Sequence, residues 1–227
     1  MPQPFTVRLR AEAEKIWEAQ LRHPFVSGIA DGSLDLERFK FWLRQDYVFL
    51  IEYGRLLGLA AARSPDLETM RRFCQLMQET LETEMSLHRS YAAEFGISER
   101  ELQEEKPAPT TRAYTDFLLR VATTGDFAEV AAALLPCMWG FSEIGCRLAQ
   151  LPAPPDQVKD QRYAKWIAMY SSAEFAALAG WCRELVDRLA EGLPERELAK
   201  LEDAFLTSAR YEWQFWEMGW RMEGWGI

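Results

Sequence analysis

The sequence predicts an all-α protein, a single domain over residues 1–227 built as a bundle of long helices. Three observations predict this fold class. Apolar residues recur at intervals of three and four in almost every segment, as they do on one face of a helix. No segment alternates apolar and polar residues between hairpin turns, as a strand would. The connections are short and polar, and none has the composition of an interdomain linker.

Each predicted helix follows from its apolar period and from the residues that interrupt it. Asp35 is placed to cap a long helix that is apolar on nearly every side, so we expect this helix at the centre of the bundle. The predicted helices are Phe5–Leu21, Leu36–Ala62, Ser64–Phe95, Thr111–Thr123, Phe127–Gln150, Arg162–Ser171, Ala173–Glu191 and Glu195–Met222. We expect turns at FVSGIADGS (25–33) and LPAPPDQ (151–157), and a charged connector with one helical turn at ISERELQEEKPAPT (97–110).

Composition argues against several classes of function. The net charge of -9 implies repulsion from nucleic acid and from anionic membranes, and the Lys and Arg residues form no basic stripe. The sequence contains no run of about 18 uncharged apolar residues, so we expect no membrane span, and the N-terminus lacks a signal-peptide core. The 4 cysteines show no CxxC spacing, which argues against a disulfide framework and a zinc site. We therefore expect a cytoplasmic protein that binds neither nucleic acid nor membrane.

Asp46 is a polar residue inside an apolar helical pattern, the kind of place where function is best sought. It shares one helix face with Phe49 and Tyr53. Either the carboxylate lies in a pocket with these rings, or it pairs with Arg44 or Arg55 on a solvated face. The residues by themselves leave both interpretations open.

Cys137 directly follows Pro136 in the helical segment LLPCMWGFSE (134–143), and it lies in register with Phe141. A proline inside a helix removes a backbone hydrogen bond and bends the helix, at a cost of about 3 kcal/mol. Such a bend can aim a thiol into a cavity, whereas a buried cysteine is ordinarily an inert small hydrophobe. We assign the inert role to the other cysteines, which are Cys74, Cys146 and Cys182.

Three further polar side chains stand in apolar patterns. Glu212 is surrounded by aromatic residues, where a carboxyl group can carry a proton at neutral pH; the alternative is an exposed helix edge beside Arg210. Tyr114 and Tyr170 are single phenols, and such hydroxyls in a core ordinarily bond a carbonyl. A thiol, two carboxylates and aromatic rings together suit a flat, nitrogen-rich ring. The rings stack on its faces, a carboxylate accepts from an exocyclic amine, and a thiolate adds to an electron-poor ring carbon.

The chain resembles the TenA family (thiaminase II, or aminopyrimidine aminohydrolase), which has a heme oxygenase-like helical fold. The resemblance is carried by HPFVSGIADGSLDLERFKFWLRQDYVFL (23–50), LLPCMWGFSEIG (134–145), YAKWIAMYSSAEF (163–175) and SARYEWQFWEMGWRMEGW (208–225). It implies a hydrolase of thiamin salvage that converts aminopyrimidine products of thiamin degradation to 4-amino-5-hydroxymethyl-2-methylpyrimidine. Many members also cleave thiamin. The resemblance further implies no metal, no organic cofactor and a homo-oligomer, commonly a homotetramer.

The resemblance also implies roles for individual residues. Cys137 is similar in position to the family's nucleophile, which adds to the pyrimidine ring. Asp46 corresponds to the carboxylate that binds the ring's amino group and adjacent nitrogen. Glu212 corresponds to the glutamate that holds a ring nitrogen and moves protons. Tyr170 corresponds to a pocket tyrosine of the family near the cysteine, and Tyr114 corresponds to an aromatic residue that packs against the pyrimidine.

Two positions depart from the family's pattern, because Phe49 and Phe141 stand where pocket tyrosines are expected. A lost hydroxyl that leaves a partner unpaired costs about 1–3 kcal/mol. These departures bear on the preferred substrate, thiamin or an aminopyrimidine, more than on the chemistry.

Three other functions fit parts of the sequence. A diiron oxidase of the heme oxygenase-like type would use Glu84 and His88 with Glu143, but the late helical segments supply no histidine. Haem binding would need His23 or His88 as the iron ligand. A non-catalytic pyrimidine-binding or regulatory protein has no need of a thiol, so a thiol combined with two carboxylates favours the hydrolase.

Overall fold

The computed structural model describes residues 3–151 and 161–226, and the regular structure within these residues is helical throughout. The helices are α1 (Phe5–Glu12), α2 (Glu14–Leu21), α3 (Pro24–Asp31), α4 (Leu36–Arg63), α5 (Leu67–Glu79), α6 (Met85–Glu94), α7 (Glu99–Glu104), α8 (Pro109–Thr124), α9 (Phe127–Gln150), α10 (Ala164–Tyr170), α11 (Ala173–Ala190) and α12 (Glu195–Arg221). A π-helical turn, Thr80–Glu84, joins α5 to α6, and a 3₁₀ turn, Gln161–Tyr163, precedes α10. The predicted all-α class is confirmed. A turn was expected at LPAPPDQ, and all of its residues after Leu151 lie outside the described residues.

Helix α3 occupies the stretch for which the sequence predicted a turn, so that prediction is wrong. Pro24 stands in the first turn of α3, where its fixed φ suits a helix, and the ring of His23 accepts a hydrogen bond from the backbone N–H of Phe25. Phe25 and Ile29 are buried on one face. Gly32 ends α3 at a φ of 77°, a left-handed conformation that favours glycine.

Two predicted helices are divided in the structure. The first is interrupted at Ala13, whose φ and ψ of -84° and 1° are not helical, and it forms α1 and α2. The second begins later than expected, because the carboxylate of Asp66 caps α5 through the backbone N–H of Thr69 at 2.8 Å. The π-helical turn then interrupts it before α6. Local apolar periodicity does not report such breaks, because the same face stays apolar across them.

The chain forms two compact units. The first unit comprises Met1–Asp35 and Ala131–Glu217. The second unit comprises Leu36–Val130 and Met218–Ile227. The single domain over residues 1–227 stays a prediction.

In the first unit, buried polar bonds tie the N-terminal helices to later ones. Thr6 on α1 donates from its backbone N and from Oγ1 to the carboxylate of Asp187 on α11, at 2.7 and 2.9 Å. The indole Nε1 of Trp17 on α2 donates to Oε2 of Glu143 on α9 at 3.0 Å. The bonds of Thr6 tie α1 to α11, and the bond of Trp17 ties α2 to α9, the helix that carries Cys137.

In the second unit, α4 is central, as the sequence predicted. Of its 28 residues, only Glu37, Arg55 and Ala62 are exposed. Gln45 on α4 binds the start of α8, because its Oε1 accepts from the backbone N of Ala108 at 2.7 Å and from Oγ1 of Thr111 at 2.8 Å. This bonding sets the position of α8 relative to α4.

Among the described residues, α9 is the one helix long and apolar enough to cross a membrane by length and composition, with a mean hydropathy of 1.3 over its best window. That window is 67% buried within the protein, and the charged residues Glu129 and Glu143 interrupt the apolar sequence of the helix. These properties are those of a helix in a protein core.

Candidate active site

Asp46 lies in the second unit, on a buried face of α4. The residue is only 3% exposed, and its Oδ2 lies 2.6 Å from Nε2 of His88 on α6. The other ring nitrogen of His88, Nδ1, lies 2.9 Å from the backbone carbonyl oxygen of Glu84. The solvated pairing with a neighbouring arginine is therefore wrong, because the partner of Asp46 is a buried histidine.

The charge on this buried pair is governed by opposing effects on His88. Burial lowers the pKa of His88. The hydrogen bond to Asp46 and the charges of Asp46 and Glu84 raise this pKa, and together they outweigh the effect of burial. The net result is a pKa above the ordinary value of His. The hydrogen bond and the charge of Asp46 thus favour the protonated form of His88.

Phe49 lies one turn beyond Asp46 and contacts two tyrosines of the second unit. Its ring centroid is 5.5 Å from that of Tyr53, with the rings nearly parallel, and 5.1 Å from that of Tyr114 on α8. Phe49 and Tyr114 are 4% and 1% exposed. Two of the predicted wall residues are thus in direct contact, and the aromatic face continues from the carboxylate of Asp46 along α4.

Cys137 lies in the first unit, in the interior of α9. Helix α9 is continuous through Pro136, which cannot donate to the carbonyl of Ala132, so the helix lacks one bond immediately before the thiol. Cys137 is partly exposed, unlike the residues on either side of it, which are buried. Cys137 is thus less buried than its neighbours in the chain, as a residue that meets a small molecule has to be.

Phe141, one turn after Cys137, begins an aromatic cluster of the first unit. Its ring centroid lies 5.0 Å from that of Tyr170 on α10 and 5.2 Å from that of Trp216 on α12. Trp166 packs against Tyr170 with 4.6 Å between ring centroids. The aromatic rings on α9, α10 and α12 therefore form one continuous wall beside the turn that carries the thiol.

Gly145 decides how closely α9 approaches Tyr170. A Cβ at position 145 would lie 2.4 Å from the carbonyl carbon of Tyr170 and 2.7 Å from its Cβ, distances that atoms cannot adopt. Only glycine permits this contact. Tyr170 is 1% exposed, and its close contact with Gly145 fixes its position along α9.

Glu212 lies on α12 in the first unit and is 3% exposed. It precedes by one turn Trp216, whose indole Nε1 donates to Oε1 of the buried Gln20 at 3.2 Å. Because Glu212 is buried, the interpretation that places it on an exposed edge beside Arg210 is wrong. A buried carboxyl group bordered by an aromatic wall is suited to moving protons.

The predicted site residues thus form two groups. Asp46, Phe49 and Tyr114 belong to the second unit, where Phe49 contacts Tyr114. The others belong to the first unit, and they are Cys137, Phe141, Tyr170 and Glu212.

The prediction that the three other cysteines are core residues is wrong in part. Cys182 is buried at 1% exposure, but Cys74 on α5 is exposed and Cys146 on α9 is partly exposed. The face of α5 that carries Cys74 is exposed, and the apolar period of the sequence did not show this.

The candidate metal ligands are engaged elsewhere. Both ring nitrogens of His88 are in hydrogen bonds, and Glu143 accepts from Trp17 and Arg10. His23 accepts from a backbone N–H through Nδ1 and bonds Glu217 through Nε2, and burial lowers the pKa of His23. Within residues 3–151 and 161–226, no three His, Cys, Asp or Glu side chains are grouped to hold a metal ion.

His88 is the residue that sequence reasoning missed, since it was weighed only as a metal or haem ligand or as a structural or surface residue. A signal for its burial was present, because His88 lies on one helix face with Met85, Tyr91 and Ala92, all of which are buried. Nothing local indicated that its partner is 42 positions away.

Comparison with known proteins supplies independent evidence. The chain matches the TENA/THI-4/PQQC family model over residues 10–222. It is 45% identical over 221 residues to an aminopyrimidine aminohydrolase of Halalkalibacterium halodurans, with 97% of each chain covered. It is also similar to the solved structure of a TenA homologue from P. horikoshii OT3, at a TM-score of 0.86 and 28% identity, covering 96% of this chain and 99% of that one.

The fold class is supported by a more distant structure. A domain of unknown function from Shewanella denitrificans, described as having a heme oxygenase-like fold, matches at a TM-score of 0.73 and 14% identity. The match covers 96% of this chain and 92% of that one. The predicted heme oxygenase-like fold is confirmed.

Proposed function

The chain belongs to the TENA/THI-4/PQQC family, and on this premise we propose that it hydrolyses aminopyrimidine products of thiamin degradation to 4-amino-5-hydroxymethyl-2-methylpyrimidine. The protein is an enzyme, a hydrolase of thiamin salvage. The observation that carries the proposed chemistry is the partly exposed residue Cys137 on the turn of α9 before Phe141, which belongs to an aromatic wall.

Cys137 is the nucleophile of the proposed reaction. Its Sγ adds to an electron-poor carbon of the pyrimidine ring, and the ring's electron pair then expels the amine from the exocyclic methylene. The departing amine takes a proton from Glu212. Water adds to the methylene carbon and returns a proton to Glu212, after which the carbon–sulfur bond breaks and the ring regains its aromaticity. One water is consumed, one amine is released, and nothing is oxidised or reduced.

The remaining residues bind and orient the ring. Asp46, bonded to His88 through Oδ2, accepts a hydrogen bond from the ring's amino group. Tyr170 stands beside the turn that carries the thiol, through its contact with Phe141. The side chains proposed to form the wall of the site are Phe49, Tyr114, Phe141 and Tyr170.

Phe49 and Phe141 bear on which substrate is preferred. Both rings pack on tyrosines, Phe49 on Tyr114 and Phe141 on Tyr170, and neither supplies a hydroxyl. A site with fewer hydroxyls makes fewer polar contacts to the leaving group, so we propose that small aminopyrimidines are preferred over thiamin.

The proposal is tested by giving purified protein an aminomethylpyrimidine and thiamin in separate reactions. Wild type is expected to release 4-amino-5-hydroxymethyl-2-methylpyrimidine, faster from the aminopyrimidine. Cys137→Ser is expected to release none, while Cys74→Ser, which changes an exposed cysteine on α5, is expected to match wild type. Equal activity of Cys137→Ser and wild type would remove the nucleophile from the proposal.

A non-catalytic pyrimidine-binding protein is the alternative. It predicts that wild type binds the pyrimidine without turning over either compound, and the same experiment detects this outcome. The homotetramer, the cytoplasmic location and the lack of nucleic-acid and membrane partners stay predictions from resemblance and charge. Light scattering coupled to size-exclusion chromatography tests the first of these.

A further inference from the structure

We propose that His88 is a positioning residue of this enzyme: it holds Asp46 as an acceptor-only carboxylate whose Oδ1 is offered to a ring N–H donor. His88 thereby makes the enzyme select pyrimidines that carry an amino group. The inference rests on the proposed function, because it concerns how Asp46 recognises the ring.

The hydrogen bonds of His88 define which atoms carry protons. The residue is 1% exposed, and its Nδ1 lies 2.9 Å from the carbonyl oxygen of Glu84. A carbonyl oxygen only accepts, so Nδ1 carries a hydrogen. Nε2 lies 2.6 Å from Oδ2 of Asp46, and one proton is shared across that contact. This distance is typical of a charge-assisted bond.

We assign the shared proton to His88. The charged groups that act on His88 are Asp46 on α4 and Glu84 in the π-helical turn, and both are negative. Their effect on the pKa of His88 exceeds the opposing effect of burial. With that proton on His88, Asp46 meets a ligand as a hydrogen-bond acceptor.

The backbone holds His88 in this orientation. Glu84 is the last residue of the π-helical turn Thr80–Glu84, and its carbonyl oxygen accepts from the ring one turn later. The indole of Trp42, one turn before Asp46 on α4, lies 6.2 Å from the His88 ring between centroids. A single π-helical turn inside a helix often occurs at a functional site.

The two carboxylate oxygens of Asp46 have different hydrogen-bond partners. Oδ2 is bound to His88, so Oδ1 is the oxygen that remains for the ligand. A carboxylate accepts from an amino group more strongly than a neutral acid does. Without His88, the carboxyl group of Asp46, which is 3% exposed, loses the partner that bonds Oδ2, and its preference for an N–H donor weakens.

The test compares binding of two pyrimidines that differ only in the amino group. The probes are 4-amino-5-hydroxymethyl-2-methylpyrimidine and the same compound with hydrogen in place of the amino group, and affinities are measured by calorimetry. We expect wild type to prefer the amino compound by about 10- to 100-fold, the range for hydrogen bonds to charged groups. His88→Asn, whose amide is too short to reach Asp46, is expected to lower this preference about tenfold.

Two further variants separate positioning from a purely structural role. The longer amide of His88→Gln can still donate to Asp46, so this variant is expected to keep more of the amino preference than His88→Asn. His23→Gln changes the other buried histidine of the chain, in the first unit, and is expected to leave the preference unchanged. An unchanged preference in a folded His88→Asn variant would overturn the inference.

A measurement on wild type covers the case in which His88→Asn does not fold. The chain has 2 histidines, so ¹⁵N NMR of the imidazole rings resolves His88 once His23→Gln identifies the other signal. Two protonated ring nitrogens on His88 at pH 7 are expected, and a neutral ring would overturn the inference. If wild type binds neither pyrimidine, the proposed function fails and the inference fails with it. If wild type binds both equally, only the inference fails.

Discussion

Replacing Gly145 with alanine tests whether close packing of α9 against Tyr170 holds the aromatic wall in place. The added Cβ would lie 2.4 Å from the carbonyl carbon of Tyr170, 2.6 Å from its carbonyl oxygen and 2.7 Å from its Cβ. Carbon atoms pack at about 3.5–4.0 Å, so Tyr170 or α9 has to move by about 1 Å. All three atoms belong to the backbone or the base of the side chain, so no rotamer change can relieve the contact.

The size of the effect follows from two opposing contributions. Overpacking a core costs about 1–3 kcal/mol, and the upper end applies because backbone has to move. Alanine recovers about 0.8–1 kcal/mol of helix propensity relative to glycine. The net loss is about 2 kcal/mol in the free energy of unfolding, which for a chain of this size lowers Tm by about 4–8 °C.

The matched control is Gly180→Ala, an identical change inside α11, where an added Cβ meets no atom within 4 Å. We expect this variant to be more stable than wild type, with Tm higher by about 2–4 °C from helix propensity. Thermal unfolding followed by circular dichroism measures both variants. A displacement of about 1 Å beside a reacting group can cost about 100-fold in rate, so kcat of Gly145→Ala is also expected to fall. Equal Tm values for the two variants would refute the packing argument.

Four further predictions address the chemistry and its pH dependence. Cys137→Ser is expected to lower kcat by at least about 1,000-fold, measured by chromatography of the released pyrimidine, whereas equal turnover would contradict a nucleophilic role. Glu212→Gln is expected to lower kcat by about 100- to 10,000-fold with little change in product affinity; a loss confined to affinity would contradict proton transfer. The lowered pKa of His23 means that its stabilisation is present above about pH 6.5 and is lost as pH falls, so His23→Gln is expected to flatten the acid side of a Tm–pH profile. The raised pKa of His88 has the opposite sign: its stabilisation is present below about pH 6.5 and is lost as pH rises through the folded-state pKa, so His88→Gln is expected to flatten the neutral-to-alkaline side.

The apolar period of the sequence was sufficient for most helices. The predicted bounds of α4, α8, α9, α11 and α12 are within about two residues of those observed, because each helix presents one continuous buried face that its own sequence encodes. The period failed at α3, where eight residues between His23 and Gly32 were too short to separate a helix from a turn.

The candidate site was predicted as residue types on helix faces. Asp46, Cys137 and Glu212 were identified because a polar group in an apolar helix has to be satisfied or used. The sequence left open whether Asp46 and Glu212 are buried, and the structure buries both at 3% exposure. It also assigned Cys74 to the core, although that residue is exposed.

The sequence by itself determined the helical fold class and the family, and it supplied the candidate site residues, because periodicity, caps and motif spacing are local properties of the chain. Only the tertiary structure decided that the partner of Asp46 is His88 and that Gly145 sets the position of Tyr170. Each of these contacts joins two different helices. Which faces of two helices meet depends on the packing of the whole unit, so no local pattern in either helix records the contact.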